Sequence, residues 1–304
     1  MVPAFAILAS MVSSLGGATR SIASDAIAAS AAPTTAILVD KKLSRLLVTK
    51  YVNGKYEVIK SYHATLGKVK GDKETEGDNK TPEGIYTFKS VTSGKKLPAK
   101  FGEMAFYMNY PNTYDEFAGR TGNSIMLHAT NAPDRLKESF DSEGCVVVDN
   151  REIAEIKPYI KLGLTPILIF SELLESDTAM MAPGQDTKVR GFFDHWIKAW
   201  ESKSIEDYIS YYHTDFAANG MNKTKWKEFK SALISRYSTI SIGPESVHVY
   251  RHPKYSMITF TQNYQSKLKH GGWGHRSRGT KILYVAEEAG EPKIIAETYT
   301  TLMW

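Results

Sequence analysis

Residues 128–150 read HATNAPDRLKESFDSEGCVVVDN and contain Cys145, the only cysteine of the chain. Cys145 follows Gly144 and begins an apolar run, and His128 ends another apolar run upstream. An imidazole at one strand end can take the proton of a thiol at a neighbouring strand end and later protonate a leaving amine. Gly144 permits a backbone geometry in which adjacent N–H groups face an oxyanion. The stretch predicts an acyl-transfer pair; the alternative is a small buried structural cysteine.

Short β-rich runs surround this stretch and predict a mainly β domain over residues 34–172. The Asn53-Gly54 pair between two of the runs is a strong hairpin signal. A short helix is expected from Asn150, which can cap it, and Pro158 interrupts it. The runs are TAILVDKK, RLLVTKYVNG, KYEVIKSYHATLG, TPEGIYTFKSV, EMAFYMNY, SIMLHAT, CVVVDN and TPILIF.

The second half of the chain has a different period. Residues 173–187 are rich in Asp, Ser, Pro and Gly and predict a linker. Four long segments that alternate apolar and polar residues then follow a helical region, which predicts an α+β cone over residues 188–304. In the helical region, large apolar residues stand at helical spacing and are expected to pack in the core: Phe192, Phe193, Trp196, Ile197 and Trp200.

Composition excludes some classes of protein. The net charge of +5 comes from 38 basic and 33 acidic residues spread along the chain, so no dense basic stripe for nucleic acid is present. Residues 1–33 combine an apolar stretch with small residues, which predicts an export signal or else a disordered N-terminus. We therefore expect an exported protein of the periplasm or cell envelope. The histidines show no metal-ligand spacing, and we expect no metal and no cofactor.

Two motifs together resemble the catalytic domain of the L,D-transpeptidase (YkuD-type) family. One is Ser142-Glu143-Gly144-Cys145-Val146 with the histidine upstream. The other lies in LGKVKGDKETEGDNKTPEGIY, residues 66–86, where Gly67, Thr81, Pro82, Gly84 and Tyr86 match a Gly...Thr-Pro-x-Gly-x-aromatic pattern. The resemblance covers residues 35–171 and implies a β-sandwich-like catalytic domain. The second domain resembles a nuclear transport factor 2-like cone by the order of its elements.

The resemblance implies a role for each matching residue. Cys145 would be the nucleophile, His128 the general base and later acid, and the main-chain carbonyl of Ala129 the group that orients His128. The N–H groups of Gly144 and Cys145 would line an oxyanion hole. Substrate contacts would come from Ser142, Glu143, Thr81 and Tyr86.

Two positions depart from the family pattern. Glu143 stands where a second histidine is usual, and its charge would raise the thiol pKa if the side chain points inward. Val147 stands where an arginine is usual, which removes a cation suited to a carboxylate. Both departures concern substrate choice more than the reaction class.

Three functions follow as hypotheses. The first is an L,D-carboxypeptidase that trims peptidoglycan tetrapeptide stems to tripeptides at the bond between meso-diaminopimelate and D-alanine, as in a cell-shape branch that the two-domain order resembles. The second is an L,D-transpeptidase that forms 3-3 cross-links or attaches a protein. The third is a non-catalytic wall-binding scaffold. A protein or glycan partner of the cone and the oligomeric state stay open.

Overall fold

The computed structural model describes residues 35–52, 55–174 and 187–302. The predicted N-terminal export segment, the Asn53-Gly54 turn and most of the predicted linker lie outside these residues. The first domain is built mostly from strands: β1 Thr35–Asp40, β2 Arg45–Val52, β3 Lys55–His63, β4 Leu66–Gly67, β5 Gly84–Ser93, β6 Met104–Met108, β7 Met126–His128, β8 Phe140–Ser142, β9 Val146–Val147 and β10 Pro166–Phe170.

Eight of these strands form one sheet in the order β3-β2-β1-β10-β5-β6-β7-β9, and β4 pairs with β8 separately. Strand β1 pairs in parallel with β10, the last strand of the domain. The run Ala36–Val39 is fully buried, and alternate residues belong to different apolar clusters on the two sides of the sheet. A strand buried on both faces reads as a continuous apolar run, which explains the sequence TAILV.

Two short helices, α1 Thr113–Phe117 and α2 Asn150–Ile156, complete the domain. The helix expected from Asn150 is present, but its cap is Asp149, whose side chain accepts from the Arg151 N–H in a capping box with Glu152. A 3₁₀ turn that contains Pro158 follows α2, because proline cannot continue the α-helical hydrogen bonding.

Within residues 187–302, the second domain has three helices around a four-stranded antiparallel meander, which confirms the predicted α+β class. The five large apolar residues of its first helix are buried, as predicted. The elements are α3 Thr187–Ser202, α4 Ile205–Ser210, β11 Ala217–Ala218, β12 Met221–Asn222, α5 Lys223–Ile234, β13 Tyr237–His252, β14 Tyr255–Leu268, β15 Trp273–Glu288 and β16 Glu291–Thr301.

The two domains share an apolar layer. One face of the first sheet contributes residues such as Leu38 and Leu168, and the cone contributes Tyr255, Met257 and Tyr284 to the same cluster. The opposite face of the first sheet packs on its own core. The cone is therefore packed against the sheet that carries the candidate site.

Candidate active site

The candidate site lies at the β9 edge of the large sheet. Strands β7 and β9 are parallel neighbours, with Leu127 opposite Val146 and His128 opposite Val147. Side chains alternate between faces along a strand, so Cys145, two positions before Val147, projects on the same face as His128. The register thus brings the predicted nucleophile and base to one side of one sheet edge.

A cavity of about 260 Å³ opens on this face. Cys145 is half-buried, and the cavity contains groups of both charges beside the thiol. The cavity is lined by Lys68, Lys100, Phe101, His128, Arg135, Asp141, Ser142, Glu143 and Cys145.

His128 is held in one orientation. Its Nδ1 atom lies 2.6 Å from the carbonyl oxygen of Ala129, and the ring of Phe101 packs edge-on with centroids 4.9 Å apart. A carbonyl can only accept, so Nδ1 carries the proton and Nε2 keeps its lone pair. Burial lowers the His128 pKa to about 4, with Arg135 and Lys100 adding to the effect and the Ala129 carbonyl opposing it. The imidazole is therefore a neutral base at pH 7.

Cys145 is also neutral in this resting structure. The pKa of its thiol is raised to about 11, mainly by burial, and the Glu143 carboxylate acts in the same direction. A hydrogen bond from the Met126 backbone and the charges of Lys100 and Arg135 act in the opposite direction. A neutral thiol beside a neutral imidazole suits proton transfer during attack on a carbonyl, rather than a preformed thiolate.

The turn before the nucleophile requires glycine at position 144. Gly144 has φ +121°, and a Cβ there would lie 2.7 Å from the carbonyl oxygen of Lys80. The Gly144 N–H donates to Ser142 Oγ at 3.1 Å, and Ser142 Oγ donates to the Cys145 carbonyl at 2.6 Å. Because the Gly144 N–H is engaged by Ser142 Oγ, the Cys145 N–H is the better backbone candidate for the oxyanion, and the oxyanion role of either group stays a prediction. Ser142 fixes the turn and is itself buried.

Two residues expected to contact substrate do not line the cavity. Thr81 is buried, and its Oγ1 accepts from the Gly67 N–H at 2.9 Å, so it fixes a loop. Tyr86 is fully buried and packs edge-on against Tyr110. Both side chains are buried in this structure, and a contact of either one with substrate stays a prediction. Val147 is buried as well and leaves no cation at that position.

Other cavity residues were missed in the sequence. Lys68 follows Gly67 in the second motif, Lys100 comes from the 3₁₀ turn Ala99–Phe101, and Arg135 comes from the 3₁₀ turn Pro133–Lys137 between His128 and Cys145. Arg135 is held by Asp141, with Nε 2.7 Å from the carboxylate and Nη2 2.9 Å from the main-chain oxygen. Charged loop residues are common on any surface, so only the fold indicates which of them face the thiol.

Neither a metal centre nor a membrane span emerges from residues 35–52, 55–174 and 187–302. Within those ranges no cluster of three or more His, Cys, Asp or Glu side chains could hold a metal ion. In the same part of the chain, no helix has the length and apolar character needed to cross a bilayer.

Two stretches of the chain match known domain families. Residues 34–169 match the L,D-transpeptidase catalytic domain (YkuD), and residues 188–298 match the Cds6 C-terminal NTF2-like domain. The chain belongs to the L,D-transpeptidase (YkuD) family, in a form that carries a C-terminal NTF2-like domain.

Solved structures of similar proteins have both domains. Bd1075 of Bdellovibrio bacteriovorus is 32% identical, with a TM-score of 0.74 over 89% of this chain and 93% of that one. Pgp2 of Campylobacter jejuni, described as a helical cell shape determining protein, is 22% identical, with a TM-score of 0.70 over 87% and 91%. At that identity Pgp2 supports the fold alone.

Curated relatives match over a shorter region. YafK of Escherichia coli strain K12, whose name assigns it to the L,D-transpeptidases, is 30% identical over 102 residues, or 34% of this chain. The chain therefore matches about a third of the length of this relative, 35%.

Proposed function

We propose that this protein is a peptidoglycan-modifying cysteine acyl-transfer enzyme of the cell envelope. Its substrate would be the bond between meso-diaminopimelate and D-alanine in a stem peptide, and water would be the acceptor, which makes it an L,D-carboxypeptidase. The observation that carries the proposal is the register of β7 and β9, which sets Cys145 and His128 on one face of the sheet at one cavity.

In the first half of the proposed reaction, His128 Nε2 takes the Sγ proton of Cys145 while the sulfur bonds to the carbonyl carbon of diaminopimelate. The negative charge that develops on the carbonyl oxygen is met by a backbone N–H, for which Cys145 is the candidate. The C–N bond then breaks, and the proton on Nε2 passes to the amine of the departing D-alanine. The product of this half is a thioester on Cys145.

In the second half, water replaces D-alanine. Nε2 accepts a proton from the water as its oxygen bonds to the thioester carbon, and the S–C bond breaks with return of the proton to sulfur. The Ala129 carbonyl, 2.6 Å from Nδ1, keeps the ring oriented and stabilises its charged form in both halves. No cofactor enters this cycle.

The charges of the cavity fit such a substrate. Diaminopimelate carries both amino and carboxylate groups, and D-alanine ends in a carboxylate. Lys100 and Arg135 can receive a carboxylate, whereas Glu143 can receive an ammonium. Lys100 and Arg135 would thus supply the positive charge that the family pattern usually places at position 147.

Transpeptidation would proceed through the same thioester on Cys145, with an amine in place of water as the acceptor. Transpeptidation is the second candidate, supported by the family to which the chain belongs.

The test is incubation of the protein and its Cys145→Ala variant with disaccharide-tetrapeptide muropeptides, with products followed by mass spectrometry. We expect loss of one D-alanine in the wild type alone. Cross-linked dimers would instead indicate the transpeptidase. If neither protein gives a product while both are folded, the wall-binding scaffold becomes the better account.

A further inference from the structure

The turn between β13 and β14 of the cone, residues 252–255, reaches the catalytic domain; we name it the cone tip. The Tyr255 hydroxyl accepts from the Ile85 N–H at 2.8 Å and from Asn112 Nδ2 at 3.1 Å. His252 Nε2 lies 3.0 Å from the Ile169 carbonyl oxygen. These contacts are buried, so the cone tip is fixed against the sheet.

Lys254 extends from the cone tip to the segment between β4 and β5, residues 68–83, which we name the flap loop. Its Nζ pairs with the Asp72 carboxylate and donates to the Glu83 carbonyl at 3.1 Å. The Glu83 carboxylate is 3.6 Å away. Lys254, Asp72 and Glu83 have side chains only 23%, 15% and 12% exposed, so these charges are poorly screened by water.

The contact of Lys254 lies where the flap loop closes on itself. Asp72 accepts from the Glu83 N–H at 2.7 Å, which joins the two ends of the loop. Lys41 of the catalytic domain supports the same closure, with Nζ 2.7 Å from the Thr81 carbonyl and 2.9 Å from the Glu83 carboxylate. Lys41 of the catalytic domain and Lys254 of the cone thus both hold the two ends of the flap loop together.

The other side of the flap loop touches the turn of the nucleophile. The Lys80 carbonyl oxygen occupies the space that a Cβ of Gly144 would need, at 2.7 Å. The Lys68 N–H donates to the Ser142 carbonyl at 2.8 Å. A shift of the flap loop should therefore disturb the backbone at Ser142 and Gly144, just before Cys145.

We propose that Lys254 is a positioning residue through which the cone holds the flap loop, and thereby the Gly144–Cys145 backbone, in the reactive arrangement. The inference rests on the proposed function for its activity readout. A lysine that only joined two domains would affect stability and leave the nucleophile turn unchanged. If Lys254 instead positions the turn, loss of its charge must increase the mobility of the backbone at residues 142–147.

The experiment compares the full chain with Lys254→Met, Lys254→Gln and Lys254→Arg. The matched control is Lys227→Met, which removes an ion pair to Glu206 within the cone. Amide hydrogen exchange is measured for peptides that cover residues 68–83 and 142–147, and D-alanine release gives kcat and KM. The Gln variant serves if the Met variant does not fold.

We expect Lys254→Met to speed exchange in both peptides by about threefold or more. We also expect kcat to fall about tenfold with little change in KM, since misplaced catalytic groups cost mainly rate. Lys254→Arg should restore both the exchange rates and kcat, and Lys227→Met should match the wild type.

Unchanged exchange at residues 142–147 in Lys254→Met overturns the proposal, whatever happens to stability. So does faster exchange with an undiminished kcat. The exchange comparison needs no substrate. If the wild type releases no D-alanine, the proposed function fails while the positioning proposal is still decided by exchange.

Discussion

The β9 edge of the catalytic domain and the interior of the cone both contain buried ionisable groups, but they use burial differently. In the cone, Lys281 and Glu297 form an ion pair whose side chains are 4% and 3% exposed, and Tyr212 donates to the same carboxylate at 2.9 Å. Nearby, Lys230 lies over the rings of Trp200 and Trp226, at 4.5 and 4.6 Å. These groups are satisfied by one another and by aromatic faces.

At the β9 edge, burial instead keeps two groups neutral beside a cavity. His128 and Cys145 have shifted pKa values because of burial, as Lys230 does, yet Cys145 is half-buried and lines open space. A shifted pKa thus indicates a reaction site only where the group faces a cavity that a substrate can enter.

The largest contrast concerns two histidines. His128 and His248 are both buried, and burial lowers the pKa of each to about 4, but only His128 lines the cavity. We expect His128→Gln to lower kcat/KM for D-alanine release about 10²–10⁴-fold, the usual contribution of a general base. His248→Gln should stay within about twofold of the wild type, as a distant site does. Equal losses in the two variants would contradict the contrast.

Gly144 and Gly163 both have positive φ, +121° and +73°, but only at Gly144 would a Cβ meet backbone. We expect Gly144→Ala to lower the free energy of unfolding by about 2–3 kcal/mol, from backbone strain and overpacking, and to reduce activity. Gly163→Ala should cost only the strain, about 1 kcal/mol. Urea unfolding monitored by fluorescence measures both; similar values would mean that the Lys80 contact is easily relieved.

Lys230 should make the stability of the protein depend on pH. Burial lowers its pKa from 10.5 to about 7, partly offset by Glu297, so between these values the unfolded chain binds the extra proton. Stability should therefore rise with pH above 7, by about 2 kcal/mol up to pH 9. Lys230→Met should lack this rise. Parallel slopes for the two proteins in urea unfolding at pH 7, 8 and 9 would show that Lys230 keeps its charge.

The smallest effect concerns Glu143. Its carboxylate is a minor contributor to the raised Cys145 pKa, after burial. We expect Glu143→Gln to raise the rate of Cys145 alkylation by iodoacetamide about two- to threefold at pH 8. Glu57→Gln, on β3 at the opposite edge of the sheet, is the matched control. A slower rate in Glu143→Gln would mean that Glu143 assists the thiol rather than opposing it.

Some features could be predicted from the sequence because each depends on residues that are close together in the chain. Gly144 next to Cys145, and a carbonyl next to His128, are fixed by adjacency along the chain. The helical spacing from Phe192 to Trp200 likewise depends on one element. In these cases the pattern and the structure describe the same short-range geometry.

The remaining features depend on long-range packing. The parallel pairing of β1 with β10 joins residues about 130 positions apart, and nothing in either strand specifies the partner. Thr81 and Tyr86 belong to the motif, but only the fold shows that they are buried. Lys254 lies in a turn of the other domain, where its pairing with Asp72 leaves no signal in the sequence.

The most direct test measures D-alanine release from tetrapeptide muropeptides by the wild type, Cys145→Ala and Lys230→Met side by side, with folding checked by circular dichroism. The account predicts release by the wild type and Lys230→Met, and none by Cys145→Ala. Release that survives in Cys145→Ala, or is lost in a folded Lys230→Met, would contradict it, because reactivity would then not reside at the β9 edge.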